Sequence, residues 1–179
     1  MYALTTLFDI ETNSPFAEMW RRLQTKCGMV TANETSFVHL SWQGAASYDL
    51  EHARVAVRQT ASITRAFKVN IAGIGIFTGK KPVLFLNVIK NRKLLELHEV
   101  LWDRLMDSAK DMNGFYSPVE WVPHITLTYG MLLPGDLSCA VAELMYEPFT
   151  AELEIDNLAF IFLQDGMVGI DSRFELQPA

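Results

Sequence analysis

Two short segments of the 179-residue chain carry the same residue types in the same order, His39-Leu40-Ser41 and His124-Ile125-Thr126. Each is a histidine, an aliphatic residue and a hydroxyl. In an extended strand alternate side chains face the same way, about 6.6–6.8 Å apart. His39 and Ser41 then share one face with Phe37, and His124 shares one with Thr126 and Thr128. Val38, Leu40, Ile125 and Leu127 turn the other way and are free to pack on helices. Imidazole titrates near neutrality, so one histidine can take a proton while the other delivers one. Two hydroxyls can donate to non-bridging oxygens as charge shifts. Such a set suits in-line displacement at a phosphodiester, without a metal or cofactor. The competing reading is a pair of strand histidines hydrogen-bonded within a polar core.

The elements that must position these residues follow from pattern. Tyr2–Asp9 reads as a strand. Ser14 and Pro15 open a helix as N-cap and first helical residue, with Phe16, Met19, Trp20, Leu23 and Cys27 as its stripe and Gly28 as its stop. Residues 36–42 read as the first motif strand, and Asp49 caps a helix to about Ala66. Phe67–Phe77 and Pro82–Lys90 are strands around a turn at Thr78–Lys81. Asn91 caps a helix to about Lys110. Residues 120–129 read as the second motif strand, and Pro134 opens a helix to about Tyr146. Phe149–Leu163 and Met167–Leu176 read as a closing hairpin around Gln164-Asp165-Gly166. In symbols this is βαβαβ, a turn, βαβαβ and one more strand, a repetition at a spacing of about 80 residues. After each motif comes an Asp-Leu-x-x-Ala stretch, Asp49–Ala53 and Asp136–Ala140. The expected fold is α+β: two pseudo-symmetric lobes, each a small, mostly antiparallel sheet backed by helices, around a central cleft. Residues 1–179 form one bilobal domain with repeat units of approximately 1–80 and 81–179.

Composition bounds the partners. The chain has 15 Lys+Arg and 21 Asp+Glu, a net charge of −6, and is half hydrophobic. Its pI near 5.2 disfavours extended binding along a duplex, which needs many phosphate-neutralising cations. Residues 1–80 hold eight Lys/Arg and six Asp/Glu, a net of +2, whereas residues 81–179 hold seven and fifteen, a net of −8. A small or terminal anionic ligand at a local site is compatible with both. No apolar run approaches the ~18 residues of a membrane span, and the N-terminus lacks a basic leader, so a cytoplasmic protein without a membrane partner is expected. Cys27 and Cys139 form no CxxC pair and read as two buried thiols.

Other features are weighed and mostly set aside. Gly73–Lys81 fits neither GxGxxG nor GxxxxGK[ST] and reads as a strand and turn. No cluster has metal-ligand spacing. His98 lies on its helix's apolar stripe and reads as a core histidine; His52 reads as exposed. Arg54, Arg58 and Arg65 form either a solvated face or a phosphate contact. Trp42, Tyr116 and Tyr129 are core residues or stacking platforms for a base.

With these residues assembled, the sequence resembles the 2H phosphoesterase superfamily, which includes 2′-5′ RNA ligase-like proteins and cyclic nucleotide phosphodiesterases. The resemblance rests on His39-Leu40-Ser41, on Pro123-His124-Ile125-Thr126-Leu127, on the Phe67–Lys90 hairpin and on the Leu94–Leu101 helix, and covers nearly the whole chain. It implies His39 and His124 as acid/base pair and Ser41 and Thr126 as phosphate holders. The implied substrate is a cyclic or 2′,5′-type phosphodiester of a small nucleotide or RNA end, hydrolysed or reversibly ligated. A non-catalytic nucleotide or phospho-ligand module using the same cleft is the alternative. Two departures bear on the substrate: Thr128 and Tyr129 stand where many bacterial members carry an Arg, and the loop expected at Gln43–Tyr48 is short and lacks their Leu-Gly ending.

Overall fold

The computed structural model describes residues 1–11, 14–31, 37–128, 132–146, 148–164 and 167–179. Its strands are β1 (Tyr2–Leu7), β2 (His39–Tyr48), β3 (Phe67–Phe77), β4 (Val83–Val88), β5 (Ala109–Met112), β6 (His124–Thr126), β7 (Thr150–Ile155), β8 (Asn157–Gln164) and β9 (Met167–Glu175). Its helices are α1 (Pro15–Cys27), α2 (Leu50–Ile63), α3 (Arg92–Leu105) and α4 (Pro134–Leu144). The fold is α+β and the strand pairings are antiparallel.

Local chemistry sets the helix starts. Ser14 caps α1, Asp49 caps α2 and Asn91 caps α3, each side chain accepting from a first-turn backbone N–H. α1 stops where Gly28 takes φ 65°, a left-handed conformation that glycine adopts at little cost. α4 starts differently: Asp136 reaches back to accept from the Leu133 N–H at 2.9 Å.

One sheet runs β7-β3-β4-β6-β2-β1-β8-β9, with β5 also on β2. Its two motif strands, β6 and β2, meet at the centre through Leu40 opposite Ile125. On either side lie β4, β3, β7 and β1, β8, β9. The aliphatic faces of the motif strands point into the core: Leu40, Ile125 and Leu127 are fully buried and Val38 nearly so, each such side chain contributing about 1.5–3 kcal/mol. Helices pack in pairs, α1 with α4 and α2 with α3, and α3 also covers β2.

The sheet sorts strands differently from their order in the chain. β3 pairs with β4 and β7, in the half that holds β6, while β8 and β9 return to β1 in the half that holds β2. The stretch expected as one strand over 149–163 breaks at Asp156, so that β7 and β8 lie in opposite halves. Buried Asn157 fixes this crossing: its amide accepts from the Leu7 N–H at 3.0 Å and donates to the Leu7 carbonyl at 2.8 Å.

Three further expectations change. Gln43–Tyr48 is not a loop but the second half of β2, because Gln43, Gly44 and Ala45 pair with β1 and Ala45–Tyr48 pair with β5. The helix expected to reach Lys110 ends at Leu105, and Ala109–Met112 instead forms β5. The second motif strand is three residues long; Pro123 before it lacks a ladder donor, and Tyr129 lies outside the described residues. Cys27 and Cys139 are not thiols: they form a disulfide between α1 and α4, with Cα atoms 5.7 Å apart and 112 residues between them in sequence. Spacing along the chain carries no signal for so distant a pairing. Arg22 and Lys26 reinforce the same junction through Glu143. Among the described residues, no helix is long and apolar enough to cross a membrane.

Candidate active site

His39 and His124 are held by the same device. The His39 Nδ1 lies 2.6 Å from the Phe37 carbonyl, and the His124 Nδ1 lies 2.7 Å from the Val122 carbonyl. In each case the acceptor is two residues upstream. A carbonyl only accepts, so both rings carry their proton on Nδ1 and leave Nε2 with its lone pair when neutral. The carbonyl between them has a matching use: Val38 accepts from Phe8 N–H at 2.9 Å and Pro123 from Val88 N–H at 3.1 Å. Each motif is thus fixed against the strand beside it.

The pairing of Leu40 with Ile125 sets the rest of the geometry. Extended by one residue each way, this register puts His39 opposite Thr126 and Ser41 opposite His124. Directly opposite Cβ atoms in a sheet lie about 4.5–5.5 Å apart and diagonal ones about 7–8 Å. The four side chains form a square tile, with histidines on one diagonal and hydroxyls on the other. Thr126 and both histidines are half-buried, and Ser41 is at the edge of burial. Burial lowers the pKa of both imidazoles below the ordinary histidine value, opposed in each case by its carbonyl; charge on His39 lowers that of His124 further.

The surroundings of the two rings differ. Phe77 meets His124 edge-on at 4.8 Å between centroids, Phe85 lies 5.1 Å from it, and the two phenyl rings stack at 4.2 Å. Gly75 makes this possible, since a Cβ there would come within 2.4 Å of the Phe85 ring. A cavity of about 620 Å³ opens at His124 and Thr126, walled by Phe77, Phe115, Tyr116 and Val122, with Glu120 its charged residue among the described walls. On the other side Leu7 stands opposite His39 and Thr5 opposite Ser41. A second cavity, of about 450 Å³, lies there between Leu7, Phe37, Trp20, Ile170 and Arg173.

A sequence model of the 2′-5′ RNA ligase superfamily matches residues 12–166. The chain belongs to the 2′-5′ RNA ligase superfamily. Among solved structures it is similar to the Thermus thermophilus protein TT0787, at 16% identity and a TM-score of 0.65, over 99% of this chain and 98% of that one. It is also similar to E. coli LigT complexed with 3′-AMP, at 16% identity and a TM-score of 0.62, over 98% and 97%. No curated protein matches it significantly by sequence. At such identities the structures establish a shared fold, the LigT-like arrangement expected of a 2′-5′ RNA ligase superfamily member.

Within this superfamily member, the structure brings His39, Ser41, His124 and Thr126 onto one face and leaves other candidates elsewhere. Trp42 is fully buried, stacked with Trp121 at 5.5 Å. His98 is buried against Trp121 and donates to the Trp42 carbonyl at 3.1 Å, with a pKa pushed down to about 4 by burial. It is a neutral core histidine. His52 is exposed beside Asp49. Arg54 pairs with Asp171, and Arg58 lies over the Phe174 ring, so β9 holds both. Tyr116 lines the larger cavity. Thr128 is buried, and its hydroxyl has no partner among the described residues.

Sequence reasoning missed the two carbonyl locks and the Phe77–Phe85 wall. The wall had a signal: folding Phe67–Lys90 about its turn brings Phe77 near Phe85. The locks had none, since backbone acceptors leave no mark in residue type.

Proposed function

We propose that this chain is a metal-independent phosphodiesterase of the two-histidine type, acting on a cyclic or 2′,5′-linked phosphodiester of a small nucleotide or RNA end. The observation that carries this reading is the pair of matching Nδ1–carbonyl locks, which leave two Nε2 atoms on one face of the sheet, diagonal to each other across two hydroxyls. One neutral imidazole takes a proton from the attacking water or hydroxyl. The other, protonated, gives one to the leaving oxygen. Ser41 and Thr126 hold the non-bridging oxygens and donate more strongly as charge accumulates there. In the ligation direction the two histidines exchange roles. E. coli LigT has been crystallised with 3′-AMP and with phosphate, which supports a nucleotide phosphate as the ligand class here. The aromatic walls beside His124 suit a base, whose stacking is sequence-tolerant and worth about 1–3 kcal/mol.

The test is a panel of 2′,3′-cyclic, 3′,5′-cyclic and 1″,2″-cyclic phosphates and 2′,5′-linked dinucleotides, each assayed with and without EDTA. Turnover of at least one member, unchanged by chelation, is expected. Binding without turnover would favour the non-catalytic phospho-ligand module.

A further inference from the structure

The first motif strand is irregular next to its hydroxyl. Thr5 stands opposite Ser41 and Leu4 opposite Gln43, so Trp42 is an extra residue in β2 with no partner residue on β1. A bulge of this kind takes the extra residue out of the ladder and lets the strand bend there. The break falls immediately after Ser41. Two ring N–H groups close it. The Trp121 indole donates to the Ser41 carbonyl at 3.1 Å, and the His98 imidazole donates from Nε2 to the Trp42 carbonyl at 3.1 Å. The Trp121 and His98 rings lie flat on each other, with centroids 3.8 Å apart and planes 9° apart, and Trp42 stacks on Trp121.

What Trp121 joins gives this stack a role beyond packing. Its side chain is anchored on the first motif, 80 residues away in sequence. Its backbone leads straight into the second: Val122, next in the chain, supplies the carbonyl that locks His124. The far end is pinned as well. The Trp42 indole donates to the Thr6 hydroxyl at 3.0 Å, and Thr6 donates to the Asn157 carbonyl at 2.8 Å. Burial alone does not produce such bonds. Trp20 and Trp121 are both 1% exposed, yet the Trp20 indole N–H has no acceptor among the described residues. So deeply buried, Trp121 is the floor of the larger cavity and not a surface for a ligand. It acts on the chemistry through the groups it holds.

We propose that Trp121, seated by His98, is a positioning residue that holds the Ser41 hydroxyl in register with His124. This rests on the phosphodiester reading of the cleft. It adds that the two motifs are kept in register by a side-chain brace as well as by the Leu40–Ile125 pairing. Without the brace, the backbone at the bulge relaxes and the Ser41 hydroxyl drifts. A small displacement of a donor aimed at a transition-state oxygen is enough to slow the reaction. Thr126 needs no such support, because Phe85 of β4 pairs directly with it.

Double-mutant cycles on the full chain test this. Trp121→Phe keeps an aromatic ring and removes the donor. It should lower kcat on the best substrate of the panel about tenfold, with KM within about twofold. In the Ser41→Ala background it should cost less than about twofold, whereas in the Thr126→Ala background its full effect should persist. His98→Leu, which suits the apolar stripe of α3, removes the second donor and should lower kcat about threefold with the same dependence on Ser41. His98→Gln, whose amide replaces the Nε2–H, should recover most of that loss. If Trp121→Phe does not fold, the His98 variants and their cycle with Ser41→Ala decide. Orthovanadate, which takes up the five-coordinate geometry of in-line displacement, gives a readout without turnover. It should bind about tenfold more weakly to Trp121→Phe than to the wild type, again where Ser41 is present. The same factor in every background, or wild-type kinetics in Trp121→Phe, would overturn the proposal. Coupling in vanadate affinity with no diester turned over overturns the catalytic reading and leaves the brace standing; turnover without coupling does the reverse. A wild type that neither turns over a diester nor binds vanadate overturns both.

Discussion

The two sides of the cleft share a device and differ in their walls. His39 and His124 are locked by carbonyls at nearly equal distances and from the same position upstream. Around His124, however, two phenyl rings close in, whereas among the described residues no aromatic ring packs on His39. The shared residue order accounts for the first fact, since strands of the same residue types have the same local geometry. The second depends on what lies beside each strand: Phe85 on β4 stands opposite Thr126, whereas Thr5 stands at the matching place on β1, opposite Ser41. On the proposed reading, the contrast makes proton transfer a shared, two-sided property and leaves recognition to each half separately.

The largest effects should come from breaking the shared part. His39→Ala and His124→Ala are each expected to lower kcat by 10²–10⁴, the range for a positioned acid or base, as measured on the best substrate of the panel. Equal losses would support the symmetric account; a variant that retains full activity would break it. Removing one hydroxyl, Ser41→Ala or Thr126→Ala, should lower kcat by about 10² with a smaller change in KM, as for loss of a transition-state donor. A change in KM alone would instead make them ground-state contacts.

Two substitutions then separate scaffold from recognition. Cys27→Ser opens a cross-link closed over 112 residues, and should lower unfolding free energy by about 2–4 kcal/mol in a denaturant titration under oxidising conditions. Since it touches neither wall, kcat at a temperature well below the midpoint should stay within about twofold. Gly75→Ala pushes the Phe85 ring off its seat beside His124. It should raise KM by about 3–10-fold with kcat less affected, in steady-state kinetics, because it disturbs the aromatic side and not the locks.

Much of this site was legible because strand periodicity is simple. A period of two assigns His39 with Ser41, His124 with Thr126, and the aliphatic residues to the core, and the structure puts each where that rule places it. Helix starts at Ser14, Asp49 and Asn91 were legible for a similar reason, since an N-cap is a local bond. What lay beyond reach were the pairings between distant segments. Nothing near Asp156 says that the strands before and after it belong to opposite halves. Gln43–Tyr48 looks like a loop until Ala109–Met112 supplies its partner. The Cys27–Cys139 bond and the Asn157–Leu7 clamp likewise depend on residues more than 100 positions apart.

The central claim is that two imidazoles, one neutral and one protonated, act together. The pH dependence of kcat/KM on the best substrate tests it most directly, in the wild type and both histidine variants. Burial lowers both pKa values, so the account predicts a bell centred below pH 6.5. Its acid limb reports protonation of the base and its alkaline limb deprotonation of the acid. Residual activity in each variant should lose one limb, a different one in each. A monotonic wild-type profile, or a full bell that survives in either variant, would contradict it.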